Sequence, residues 1–217
     1  MQLLNLTLIR GLRSCASSTI VQDIEAIRKA GLALSAYFYF DFRDTEKQNR
    51  HNFLASLLVQ ICDRSTPSCS ILSELYVTHR HGSQQPSDGA LIQCLKTILG
   101  LPGQETVYII ADALDECPNN RGLPSSREKV LGLIKELIDL RLPKLRICIT
   151  SRPEIDIRNF LEPLASQRMS LHEESGQKQD IADYIRAVVN EDPKLRRWRA
   201  EDKESIISTL SEKADGM

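Results

Sequence analysis

The sequence predicts an α/β protein: a parallel sheet with helices on both faces, followed by a small helical segment. Three observations carry that prediction. Short β-branched or aromatic runs alternate with helix-period segments of ten or more residues along almost the whole chain, the pattern of strand–helix–strand crossovers. Of the 217 residues, 41% are hydrophobic and 26% charged, which is ordinary globular usage and enough for one large domain. There is neither an internal repeat nor a low-complexity tract, which excludes solenoids and disordered linkers.

The elements follow in order. Leu3–Ile9 is an apolar run expected as the central strand. After the cap-like Ser17-Ser18-Thr19, the residues Ile20, Ile24 and Ile27 recur at helical spacing, and Gly31 ends that helix. Ala33–Phe40 is an aromatic run suited to a buried core strand. A charged connector, Asp41 to Arg50, leads to a helix with Phe53, Leu54, Leu57, Leu58 and Ile61 on one stripe, and a short second helix carries Ile71, Leu72 and Leu75. His79 to Ser87 is a polar loop, and Ser87 or Asp88 caps the helix bearing Leu91, Leu95 and Ile98.

Leu101–Gln104 is a turn, and Thr106–Ala111 is a β-branched strand. Beyond the loop Pro118–Ser126, Ser125 and Glu128 have capping-box spacing at the start of a helix with Val130, Leu133, Ile134 and Leu137. Leu145–Thr150 is another strand, Ile155–Leu161 a short helix and Arg168–Leu171 a strand. Two helices close the chain, one with Ile181, Tyr184, Ile185, Val188 and Val189 on one face, the other with Ile206, Ile207 and Leu210.

Charge and cysteines narrow the function classes. With 28 Lys+Arg against 29 Asp+Glu the net charge is −1, against the basic excess of a dominant nucleic-acid or membrane surface. The basic stretch Lys194–Arg199 is expected as a solvated helix with Trp198 packed inward. Six scattered cysteines without a close pair read as reduced core residues of a cytoplasmic protein. No run reaches membrane-spanning length, and the apolar N-terminus lacks a signal peptide's basic n-region and cleavage site.

Two strand ends concentrate the chemistry. In Val107–Cys117 the apolar run stops and Asp112, Asp115 and Glu116 begin. A parallel sheet collects its ligands at the carboxyl ends of its strands. There one carboxylate can hold a hydrated Mg²⁺ while a second orients or deprotonates an attacking water. In Ile147–Pro153 the next strand ends in Thr150, Ser151 and Arg152. Parallel neighbours end on one edge, so an arginine, which suits phosphate oxygens bidentately, and two hydroxyls would face the acids.

Tyr37–Asp44, Ile109–Pro118 and Ile147–Glu154 together closely resemble NACHT-type, nephrocystin-3-like P-loop NTPase domains of fungal STAND signalling proteins. The resemblance runs from Ser17 to Met217. It implies a nucleotide hydrolase fold using ATP or GTP with Mg²⁺, Asp112 as the magnesium ligand of a Walker B segment (107–116), and Asp115 or Glu116 as the water-orienting acid. Arg152, with Thr150 and Ser151, then falls in the sensor 1 segment (147–153). The implied organisation is a divergent stretch 1–16, an NTPase core 17–172 and a helical lid 173–217, with protein partners or self-association through STAND-type oligomerisation.

Such domains place G-x-x-x-x-G-K-[ST] before the first helix, because backbone N–H groups must wrap the phosphates while a lysine and a hydroxyl reach phosphate and Mg²⁺. Here Thr7–Ser14 occupies that register. Arg13 stands at the lysine and Ser14 at the hydroxyl, but Thr7 and Leu12 replace the two glycines. A leucine puts a branched side chain where phosphate should meet bare backbone. The loop is degenerate, and two explanations stand: a pseudo-NTPase kept as an interaction module, or an N-terminus foreign to the domain.

Overall fold

The computed structural model describes residues 6–10, 15–63, 65–119, 124–170, 175–192, 195 and 198–213. They form β1 (Leu6–Arg10), α1 (Cys15–Lys29), β2 (Ala33–Tyr39), α2 (Arg50–Cys62), α3 (Thr66–Thr78), α4 (Asp88–Leu99), β3 (Thr106–Asp112), α5 (Ser126–Asp139), β4 (Leu145–Ser151), α6 (Ile155–Leu161), β5 (Gln167–Ser170), α7 (Ser175–Glu191) and α8 (Ala200–Lys213). The sheet order is β2-β3-β4-β1-β5. The pairs β2/β3, β3/β4 and β4/β1 are parallel, with Ile109 opposite Ile147 and Leu8 opposite Ile149. The central strand is therefore β4, not the N-terminal run. β1 nevertheless belongs to the core, because Leu6 and Leu8 are almost fully buried.

Local chemistry explains most boundaries. Ser125 accepts from the Glu128 N–H while the Glu128 carboxylate accepts from the Ser125 N–H, completing the expected capping box of α5. Ser87 is the cap of α4, accepting from the Ala90 N–H. Gly31, at φ +72°, supplies the left-handed turn after α1. Two helices differ from expectation. Ser17–Thr19 lie inside α1, which starts at Cys15, and α3 runs a full 13 residues, with Ser65 as its cap and Pro67 in its first turn.

The aromatic strand β2 splits by its pleat, so only half of it is core. Phe38 and Phe40 point inward and pack with Phe53 of α2, at ring-centroid distances of 5.3 and 5.6 Å, while Tyr37 and Tyr39 stay part-exposed on the other side. β2 is also a sheet edge. The Gln60 side chain covers it, accepting from the Tyr37 N–H at 3.1 Å and donating to the Tyr37 carbonyl at 2.8 Å. A side-chain amide thus fills the place of another strand's backbone.

The chain divides into two compact units, Met1–Met169 and Ser170–Met217. In the second, α7 packs on α8, Val189 and Ile207 are buried, and Arg186 reaches Glu204 at 3.8 Å. Trp198 is about half exposed rather than packed inward. Arg196 and Arg197 lie outside the described residues. Cys62, Cys94 and Cys117 are buried free thiols, but Cys69 is exposed on α3, so it is not a core residue. Among the described residues no helix is long and apolar enough to cross a membrane.

Candidate functional site at the carboxyl edge of the sheet

β3 carries its apolar side chains to Ala111 and then delivers Asp112 at its tip, opposite Tyr39 of β2. Ala113 turns the chain sharply with φ 53°, a left-handed conformation that costs an L-residue with a Cβ about 1–2 kcal/mol. The 3-10 turn Leu114–Glu116 follows. Leu114 is fully buried and pins that turn, which leaves Asp115 and Glu116 at the sheet edge.

The structure brings four of the sequence-derived residues together here. The Thr150 hydroxyl donates to Asp112 Oδ1, and Thr150 Oγ1 accepts from the Ala113 N–H at 3.0 Å. Asp115, with a side chain only 5% exposed, accepts from the Arg152 N–H at 3.1 Å through Oδ1 and lies 3.5 Å from Arg152 Nε through Oδ2. Glu116 is tied elsewhere: its carboxylate accepts from the N–H of Phe42, in the loop after β2, at 3.2 Å. Next to Phe42, three hydrogen bonds from Arg43, two from its guanidinium and one from its main-chain N–H, hold the Asp41 carboxyl down at about 2.

Ser151 does not join them. Its hydroxyl donates to the Arg152 carbonyl at 2.7 Å. Successive strand residues face opposite sides of the sheet, so of two adjacent hydroxyls only Thr150 can share the face of Asp112. The electrostatics of the edge reach its neighbours. Burial, and then the negative charge of Asp112, raise the Tyr39 phenol above its ordinary range and push the Cys148 thiol up to about 11.

One residue at this edge carries no sequence signal. Arg127, in the first turn of α5, is only 7% exposed. Its Nε donates to the Cys117 carbonyl at 2.9 Å, its Nη2 to the Asp115 carbonyl at 2.6 Å, and its Nη1 to the Asp156 carboxylate at 3.0 Å. Asp156 also accepts from Asn119 Nδ2 at 2.9 Å. An arginine early in a helix ordinarily reads as a surface charge, and its partners here are main-chain carbonyls that no residue pattern announces.

Among the described residues no three or more His, Cys, Asp or Glu side chains converge on one metal position. A cation at Asp112 would rest on that carboxylate, waters and a ligand's own phosphates, a donor set that suits Mg²⁺. The phosphate side does not fit. Thr7, at the register of the first glycine, is a strand residue opposite Cys148, and β1 continues to Arg10 opposite Ser151. Only the four residues 11–14 separate β1 from α1, where a phosphate-wrapping loop takes roughly six before its lysine. Strand pairing has absorbed half of the register. Arg13 and Ser14 fall within 11–14, outside the described residues.

No curated protein matches the chain. A solved structure of the Aeropyrum pernix ORC1 protein in complex with DNA is similar at 14% identity and a TM-score of 0.46, over 95% of this chain and 59% of that one. This chain thus spans less than two-thirds of that protein's length. The family described as nephrocystin 3, N-terminal, matches residues 10–152, which hold both strand ends of the acidic edge. On that match, the chain belongs to the nephrocystin 3, N-terminal family.

Proposed function

We propose that this chain is an NTPase-like switch domain of a STAND-type, NACHT-like signalling protein in which the magnesium side of the site is kept and the phosphate loop is not. Asp112 is the Walker B magnesium ligand, Asp115 or Glu116 the water-orienting acid, and Arg152 the sensor arginine. ATP or GTP with Mg²⁺ is the nucleotide class, bound weakly and without turnover by the chain as it stands. The observation that carries this reading is the pairing of Asp112 with Thr150 and of Asp115 with Arg152 across one sheet edge, beside a β1 that takes Thr7–Arg10 of the phosphate-loop register into the sheet.

That contrast favours a working role through protein contacts, in the cytoplasm, with partners or with further copies of such domains. Calorimetric titration with Mg²⁺·ATP and Mg²⁺·GTP tests it on two proteins: this chain, and one whose first sixteen residues carry a consensus strand and phosphate loop. The expected result is no saturation below millimolar nucleotide for the first and binding for the second, lost again in D112A. Tight binding by the unaltered chain would overturn the degenerate-loop reading. Failure of the repaired chain to bind would overturn the switch reading. In the repaired chain Asp112 is then tested directly, since D112A removes the single carboxylate on which the cation depends.

A further inference from the structure

We infer that Arg127 is the positioning residue of the acidic edge: it holds the turn bearing Asp115 and Glu116 in register with the segment bearing Arg152. The inference rests on reading this edge as the metal–nucleotide side of the fold. Three donors of one planar guanidinium go to two separate pieces of chain. Nε and Nη2 take the carbonyls of Cys117 and Asp115, on either side of Glu116, and Nη1 takes Asp156 of α6. Only Pro153 and Glu154 separate Arg152 from α6, so Asp156 fixes the helix on which the Arg152 segment ends. The brace therefore joins the two strand ends through main-chain carbonyls and α6, in addition to the Asp115–Arg152 side-chain pair.

Burial makes the arrangement informative. A guanidinium that is nine-tenths shielded from water is costly to desolvate and stays only where its donors are met. Simple helix stability needs no such residue in the first turn of α5, where Ser125 and Glu128 already form the cap. Lysine cannot replace it. One ammonium on a flexible stem lacks the fixed fork that reaches two carbonyls and a carboxylate at once.

Amide hydrogen exchange on the full chain, resolved by NMR, tests this without any nucleotide. The diagnostic amides are Arg152 and Phe42, whose acceptors are the carboxylates of Asp115 and Glu116. In R127K both should exchange at least about tenfold faster, as when a charge-assisted hydrogen bond is lost. The β-ladder amides of Ile109 and Ile147 should keep their protection. D156N, which leaves both carbonyl contacts, should free Arg152 more than Phe42. L137A, a buried truncation on the same helix, is the control: it lowers stability overall and should leave Arg152 and Phe42 unchanged relative to the ladder. If R127K matches L137A, or leaves both diagnostic amides protected, the positioning role is wrong. Mn²⁺·ATP titration of the loop-repaired chain with and without R127K then tests the nucleotide reading separately. Binding weakened about tenfold by R127K supports both; no binding by the repaired parent removes the nucleotide reading while the exchange result still decides the brace.

Discussion

Thr150→Val isolates the hydroxyl that organises the tip of β3. Valine has nearly the same volume and suits a central strand, so no cavity opens and β propensity is kept. Two interactions go. The hydroxyl no longer donates to Asp112, a bond to an ionised group worth about 1.5–3 kcal/mol, and the Ala113 N–H loses its acceptor, which costs about 1–3 kcal/mol if water cannot replace it. Thr150 is only half-buried, so water recovers part of both, and the expected net loss is about 2–3 kcal/mol. Urea unfolding at pH 7 measures it as a shift in midpoint at unchanged slope. Thr150→Ser is the internal control: it keeps the hydroxyl, sheds one methyl and should cost about 1 kcal/mol. A valine variant that loses less than the serine variant would show that the hydroxyl is not the partner of Asp112, and the account of the acidic tip would fall with it.

The remaining predictions concern the same unit. Burial pushes the Asp88 carboxyl up, but hydrogen bonds from Arg50 and His51 outweigh that and hold it below its ordinary range. Its contribution is therefore present above the usual carboxylate pKa and lost as pH falls through the depressed value. Between pH 7 and pH 3 the stability of the wild type in urea should fall more than that of D88N, by about 1 kcal/mol or less for a part-buried surface pair. Ala113→Gly should stabilise by about 0.5–1 kcal/mol, because the strain of a left-handed alanine exceeds the added freedom of the unfolded chain; a loss in thermal midpoint would refute that backbone assignment. Iodoacetamide at pH 8 followed by mass spectrometry should label Cys69 before Cys62 and Cys117, since Cys69 is exposed while burial pushes the other two thiols up to about 12. Early labelling of Cys117 would mean that the turn after β3 opens readily.

What could be read from the sequence was whatever short-range chemistry decides. The Ser125–Glu128 capping box, Ser87 at the head of α4 and the left-handed Gly31 each follow from residues within one turn of one another. Strand order does not, because it depends on how crossovers stack, and so β1 was expected at the centre of a sheet that β4 in fact occupies. Gln60 is silent in the sequence for a similar reason: a glutamine on a helix gives no hint that it finishes the edge of a strand more than twenty residues earlier. Ser151 is a different kind of miss. The period of two along β4 already places it on the opposite face from Thr150, so its absence from the acidic cluster was implicit in the strand assignment.

The site itself divides along the same line. Asp112, Asp115 and Arg152 were legible because a parallel pair must finish on one edge, and adjacent strand tips then meet whatever the rest of the fold does. Arg127 was not, because its role lies in carbonyls contributed by the turn it braces. Between them these residues form a structure that stands without a ligand: each acid of the edge already has a protein donor, Asp112 from Thr150, Asp115 from Arg152 and Glu116 from Phe42. A divalent ion and its nucleotide would have to displace or share those donors, and the binding energy for that must come from phosphate contacts at the β1–α1 connection. Of the register that such a connection would use, Thr7–Arg10 are already paired with β4. The self-satisfied acidic edge and the strand pairing of Thr7–Arg10 are thus the two observations behind the proposal that the scaffold is kept while tight nucleotide binding is not.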